Sequence, residues 1–461
     1  MRTGLLLITC LVYCCKVSAQ QFTLSVNTIG FSDTTWVYLK KYYGRSEVIV
    51  DSIKGNSQTF FHVNTQHPIN GLYVIETPPN HKAELIINVS EKPSVQIDYN
   101  QLKNGIIGIA HSPENEAYQQ LVTAYLAYDS AFYTAWAIKA NEFDTAYLAA
   151  LQAKSSRLMR VQQQMNAFVD QFTQQHKGTY SATTLAPLLR LPLMDTVHTN
   201  YDYYPAFLFR HFWDNTNFLN TELLCHFLFS ELLKKYFRHW VPKYENSIKE
   251  AIDTLQLKAA ANQEVLQYIN TYLLRNFLKS NAEDLALYVN KNANTEACEL
   301  NLSEAEKKKF ERLKSLSVGQ NVPEILLPNI ENNKTSLTKS VTANKATILL
   351  FWSSHCGKCR VELPQIQALY QKYKTQGLEV FAVNIDENKF NWRDAVSEFK
   401  LDWINVTDEG KIADSKVLEQ FNIQHTPSLF LIAKNGKIFS KEIYGKVLEK
   451  NVQMLLSPSN K

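Results

Sequence analysis

The chemistry legible in this chain concentrates in two cysteines two residues apart, Cys356-Gly357-Lys358-Cys359. The apolar run Ala346–Trp352 ahead of them reads as a buried strand, and a helix is expected from the motif through Tyr373. The pair therefore stands where a strand ends and a helix begins. Free amides and the dipole at a helix start favour negative charge, so the Cys356 thiolate is expected to form below the ordinary thiol value of about 8.5. Lys358 adds a positive charge between the two sulfurs. Such a thiol is both an available nucleophile and a good leaving group. Cys359, one turn along the same helix face, is placed to attack a mixed disulfide and release the product. A structural zinc would need a second ligand pair, and only His355 and His425 stand in this segment as extra ligands. A haem attachment would need a histidine after Cys359, where Arg360 stands. The expectation is chemistry without a metal or bound cofactor, carried by a redox-active Cys356–Cys359 disulfide.

The elements that must position this pair can be read around it. Leu378–Asn384 is a second buried run, and the alternation of strand and helix predicts a βαβ unit with parallel pairing. Ser428–Ala433, the turn Lys434-Asn435-Gly436 and the stretch from Lys437 to Tyr444 predict a hairpin, and Val447–Leu456 a closing helix. Upstream the punctuation differs. From Gln20 to about Ala110, short alternating runs (Thr35–Lys41, Glu47–Asp51, Leu85–Val89) are separated by Gly44, Gly55-Asn56, Asn70-Gly71, Pro78-Pro79-Asn80 and Asn104-Gly105. They predict an antiparallel β-sandwich. Between Ile109 and Val318 the single glycine is Gly178, and no proline follows Pro242, which predicts an all-α bundle. Ser112-Pro113-Glu114 supplies a first cap, a proline at the first helical position and an acid on the helix dipole, and Leu121, Tyr125 and Tyr128 begin an apolar stripe at helical spacing. Within it, His211-Phe212-Trp213-Asp214-Asn215 predicts a buried aromatic corner, with Asp214 or Asn215 capping the next helix; the other reading is a docking loop.

The stretch Phe351-Trp352-Ser353-Ser354-His355-Cys356-Gly357-Lys358-Cys359-Arg360-Val361-Glu362-Leu363-Pro364 resembles the active site of the TlpA/ResA-like thioredoxins of bacterial cell envelopes. Phe421-Asn422-Ile423-Gln424-His425-Thr426-Pro427-Ser428 is similar to that family's second landmark, a loop ending in Thr-Pro. The resemblance covers about Val318 to Leu456 and implies an α/β thioredoxin fold. It implies Cys356 as the attacking thiol, Cys359 as the resolving one, and Glu362 as the group that handles the Cys359 proton. It also implies a cis Pro427, with Thr426 offering its backbone to a substrate strand, and Trp352 packed under the site on the substrate-binding side. Two positions depart from common thioredoxins. His355 replaces the tryptophan before the first cysteine, either tuning the thiolate with pH or standing by exposed. Leu350 occupies the place of the buried aspartate, leaving Glu362 for proton handling. The β-rich and helical segments are similar to uncharacterised modules fused to such thioredoxins.

Compartment and partners follow from the rest. Arg2, the apolar run Leu5–Tyr13 and Val17-Ser18-Ala19 form a signal-peptide pattern ending at residue 19. The resulting organisation is signal peptide 1–19, β-rich domain 20–110, helical domain 111–316 and thioredoxin domain 317–461, exported to a periplasm or cell envelope without stable membrane insertion. Of 7 cysteines, Cys225 and Cys298 stand alone, and whether they pair stays open. With a formal net charge of +4 and no dense basic stretch, nucleic acid is not an expected partner. The expected function is thiol–disulfide exchange with oxidised or reduced protein thiols, as a reductase fed by a membrane thiol electron donor. Two alternatives remain: a thiol-dependent peroxidase, although no proline stands in Trp352–His355, and a surface-binding or scaffold protein with an accessory thioredoxin domain.

Overall fold

A computed structural model describes residues 20–55, 58–65, 68–137, 147–194, 203–280, 282–293, 302–408 and 415–457. The expected signal segment and Cys298 lie outside the described residues. The chain divides into two compact units, Met1–Leu273 with Asn292–Asn294, and Leu274–Lys291 with Thr295–Lys461.

The first unit begins with eight strands: β1 (Gln20–Ile29), β2 (Trp36–Tyr43), β3 (Ser46–Lys54), β4 (Gln58–Thr65), β5 (Gly71–Thr77), β6 (His81–Ile87), β7 (Ser94–Asp98) and β8 (Gly108–Ala110). They form two four-stranded sheets, ordered β4-β1-β7-β8 and β3-β2-β5-β6. Alternate residues from both sheets share one core: Leu24, Val26, Phe61, Val95 and Ile97 meet Val37, Leu39, Tyr73, Ile75 and Leu85. The expectation of purely antiparallel pairing is corrected here, because β1 and β7 run parallel from Ser25↔Ser94 to Ile29↔Asp98. The whole second sheet intervenes between them in sequence, which supplies the long crossover a parallel pair requires.

Helices follow. Ser112 caps helix Pro113–Trp136 by accepting from the Asn115 amide, with Pro113 in the first turn. Glu114 does more than complement the helix dipole. Fully buried, its carboxylate accepts from Asn88 Nδ2 at 2.9 Å, the Ser181 amide at 2.9 Å and the Ser181 hydroxyl at 2.6 Å. Asn115 bonds both the amide and the carbonyl of Ile86 at 2.8 Å, so the helix grips β6 as a neighbouring strand would. These satisfied buried polar groups join the sheets and helices into one unit. The corner at residues 211–215 does bury Phe212 and Trp213, but the capping expectation fails. Asp214 instead binds His211 Nδ1 at 2.8 Å and Lys258 Nζ at 3.0 Å, Asn215 donates to the Arg190 carbonyl, and Asn220 caps the following turn. Cys225 is a buried free thiol, which burial pushes up to about 11.

In the second unit, β9 (Leu326–Pro328) and β10 (Lys334–Ser336) form a short ribbon. The main sheet contains β11 (Ala346–Trp352), β12 (Leu378–Asn384), β13 (Ile404–Thr407), β14 (Ser428–Ala433) and β15 (Ile438–Lys441), ordered β13-β12-β11-β14-β15. β11, β12 and β13 run parallel, while β14 is antiparallel to both β11 and β15. Every residue of β11 is buried, for a simple reason. Ile348, Leu350 and Trp352 face one core with Leu363, Ile366 and Val452, while Leu349 and Phe351 face another with Leu337, Phe421 and Phe430. Helices Gly357–Tyr373 and Gly445–Leu456 cover the first face. The unit also carries two helices upstream of residue 317, Glu283–Ala293 and Glu304–Ser315. Glu283 binds Asn422 Nδ2 at 2.6 Å and Lys441 Nζ at 2.8 Å, and Arg312 binds Glu419 at 2.6 Å.

Candidate functional site

β11 ends at Trp352, and a short turn delivers Cys356 as the cap of helix Gly357–Tyr373. Asp386, just beyond the end of the neighbouring β12, holds that turn. It accepts from the Ser353 hydroxyl at 2.5 Å, the Ser354 amide at 2.9 Å and Asn384 Nδ2 at 3.0 Å. Burial alone would raise the Asp386 carboxyl, but these bonds from Ser353, Ser354 and Asn384 outweigh it and hold it below its ordinary value. The loop is thus anchored by a carboxyl group whose pKa is held low, at the carboxyl ends of the parallel strands.

Cys356 is half-buried and Cys359 fully buried, both as free thiols. The Cys359 amide donates to Cys356 Sγ at 3.1 Å, and the Cys356 thiol donates to the Thr426 carbonyl at 3.2 Å. Partial burial pushes the Cys356 thiol up. The Cys359 thiol, the Thr426 side chain and the amides of Cys359 and Lys358 more than offset this, and its pKa falls below the usual thiol value. Burial and the bond to Cys356 push Cys359 the other way, up to about 12. One sulfur is prepared to be an anion and the other to keep its proton, which is the division of labour that sequential thiol exchange needs.

The remaining expected residues lie at different distances from the pair. The Thr426–Pro427 peptide is cis, and Thr426 lies against Cys356. Glu362 is half-buried, one turn after Cys359, and lines a groove of about 390 Å³ with Ile366, Leu369, Lys372, Lys446 and Glu449. His355 is exposed, its Nε2 2.9 Å from Asn391 Nδ2. The Lys358 ammonium lies 5.5 Å over the Tyr444 ring, and Lys358 lowers the Cys356 pKa through its backbone amide. Trp352 needs correcting as a substrate-binding residue: it is fully buried in the core that includes Cys359, offering no surface to a substrate.

Sequence reading missed Asp386, Glu442 and Tyr444. Asp386 had a usable signal, an acid two residues past the end of a buried parallel strand, where ligand-facing loops gather. Tyr444 donates to the Pro427 carbonyl at 2.9 Å, and Glu442 accepts from the Ser428 hydroxyl and, at 3.1 Å, the Leu429 amide. Neither belongs to a recognisable local pattern. Among the described residues no group of three or more His, Cys, Asp or Glu is arranged to hold a metal.

Residues 317–453 match the family model described as Redoxin. The thiol-disulfide oxidoreductase ResA of Geobacillus thermodenitrificans is 31% identical over 147 residues, 32% of this chain and 80% of that protein. ResA of Bacillus subtilis is 29% identical over 140 residues, 30% of this chain and 74% of that protein. Among solved structures, the thioredoxin domain of a thiol-disulfide oxidoreductase from Bacteroides vulgatus aligns with a TM-score of 0.29 at 29% identity, covering 31% of this chain and 100% of that one.

Proposed function

Because the chain belongs, through its C-terminal third, to the ResA-type thiol-disulfide oxidoreductases, we propose that it exchanges disulfides with protein thiols through Cys356 and Cys359 and works as a reductase. The observation that carries this reading is the opposed tuning of the two sulfurs: Cys356 lowered, Cys359 raised to about 12. The Cys356 thiolate attacks one sulfur of a substrate disulfide, and the substrate's other sulfur leaves as a thiolate that takes up a proton. Cys359 then gives up its proton and attacks Cys356. The second substrate thiol departs and the Cys356–Cys359 disulfide remains, so two electrons have passed to the substrate. Glu362 is the carboxylate we assign to the Cys359 proton, supported by its place one turn away in the lining of a groove. A membrane dithiol donor then reduces the Cys356–Cys359 disulfide by the same exchange and is itself left as a disulfide.

Export to a periplasm or cell envelope is part of the same proposal. It is supported by the Arg2 to Ala19 pattern; among the described residues no helix is long and apolar enough to cross a membrane. We read the paired N-terminal sheets as a β-sandwich and the helices after them as a bundle. Reduction of insulin disulfides by the full chain tests the function. Turnover that disappears in Cys356→Ala supports it, and turnover that survives that substitution removes it.

A further inference from the structure

The Thr426–Pro427 segment forms one wall of the dithiol site, and its position has to be fixed by something. Proline has no amide hydrogen, so residue 427 can be tethered only through its carbonyl or through its neighbours. The chain after β15 supplies both tethers. Glu442 stands at φ +53, and its amide donates to the Leu429 carbonyl at 2.8 Å. Its carboxylate takes the Ser428 hydroxyl and the Leu429 amide, the latter at 3.1 Å. Two residues on, Tyr444 occupies the cap position of helix Gly445–Leu456 without using its side chain as a cap. Its hydroxyl instead reaches the Pro427 carbonyl at 2.9 Å and lies 3.3 Å from Glu442. The face of its ring lies 5.5 Å below the ammonium of Lys358, between the two cysteines. One side chain therefore touches both halves of the site, the helix start and the opposing loop.

We propose that Tyr444 is a positioning residue for the dithiol, its hydroxyl holding the Thr426–Pro427 wall against Cys356 while its ring carries Lys358. This deepens the exchange reading above and rests on it. The charged and titratable groups facing the tyrosine are Lys358, Glu362 and Cys359 from the active-site helix and Glu442 from the end of β15; His425 Nδ1 lies 3.3 Å from the same Pro427 carbonyl. Burial and Glu442 keep the phenol protonated, as a donor must be. When the hydroxyl is removed, the wall recedes and Thr426 loosens its contact with the sulfur. The thiol-to-carbonyl bond is weak because S–H is a poor donor. Thr426 is also among the groups that hold the Cys356 pKa down, so with the wall displaced the thiolate becomes harder to form.

The test uses the full reduced chain and its Tyr444→Phe variant, which keeps the ring and the Lys358 contact. Iodoacetamide alkylation of Cys356 is followed against pH, and exchange with glutathione disulfide is measured at neutral pH. The alkylation midpoint is expected to move up. Exchange is expected to slow by about two- to five-fold, since the loss of one hydrogen bond is partly offset by the greater nucleophilicity of a more basic sulfur. Glu442→Gln, which loosens the same wall from its other side, is expected to move both readings the same way and serves if Tyr444→Phe does not fold. Coincident pH profiles for parent and variant, with the parent exchanging normally, overturn the role of Tyr444 and leave the exchange reading standing. A parent chain inert to glutathione disulfide overturns the exchange reading itself.

Discussion

The buried sulfur predicts a stability effect whose sign and size follow from its environment. In an unfolded chain a cysteine loses its proton near pH 8.5. In the fold, Cys359 keeps its proton until about pH 12. A raised folded pKa means that the stability linked to this proton is fully present below pH 8.5 and is lost as pH rises toward 12. At pH 9.5 the unfolded state gains about 1.4 kcal/mol from ionising this thiol, against about 0.2 kcal/mol at pH 8, so the loss over that interval is about 1.2 kcal/mol. Cys356, with its lowered pKa, contributes in the opposite direction, adding stability as pH rises toward 8.5. Cys359→Ser removes the first effect, leaving Cys356 and the buried tyrosines in place. The measurement is pulse proteolysis of the reduced full chain in urea at pH 8 and pH 9.5, scoring the fragment that carries the C-terminal unit. The parent is expected to lose about 1.2 kcal/mol more than Cys359→Ser over this interval. Parallel losses in the two proteins would refute the reasoning, because they would mean that Cys359 ionises in the fold as it does in the unfolded chain.

His226 is buried and predicts acid lability in the first unit: its Nδ1 accepts from the Leu228 amide at 2.9 Å, so the ring hydrogen sits on Nε2 against the Tyr118 oxygen, and burial lowers its pKa to about 3. Stability is therefore lost as pH falls below about 6.5, by about 2 kcal/mol at pH 5, and His226→Asn should flatten that slope in urea titrations at pH 7 and pH 5. If Glu362 handles the Cys359 proton, Glu362→Gln should slow resolution of a preformed mixed disulfide on Cys356 by about 100-fold or more while leaving the alkylation rate of Cys356 near that of the parent. Rapid-quench analysis separates these steps, and an unchanged resolution rate would return Glu362 to the role of a groove residue.

Most of the thioredoxin-like unit was legible because its signals are local. A strand buried on both faces shows as the unbroken run Ala346–Trp352, and the turn Asn435-Gly436 marks the β14–β15 hairpin with Gly436 at φ +79. The dithiol was legible for the same reason, two sulfurs one helical turn apart at a strand-to-helix junction. What escaped depends on contacts between residues far apart in sequence. Asp386 lies 33 residues from the Ser353 it holds, and Tyr444 lies 17 from the carbonyl it binds. Nothing in a short window distinguishes such an acid or tyrosine from a solvated one. Glu114 was read as a dipole partner because its position in the first turn is local, whereas the amides that bury it come from residues 180 and 181. The parallel β1–β7 pair was illegible in the same way, since alternation fixes which face is buried and leaves strand direction open.

Exchange chemistry at this site requires that one sulfur react and the other wait. Reduced full-length chain is treated with iodoacetamide at pH 7, and Cys356 and Cys359 are quantified separately by peptide mass spectrometry. Cys356 should be modified well ahead of a free cysteine peptide, and Cys359 should stay unmodified until the chain is unfolded. Equal labelling of the two, or a Cys356 no faster than the peptide, would contradict the assignment of Cys356 as the attacking sulfur.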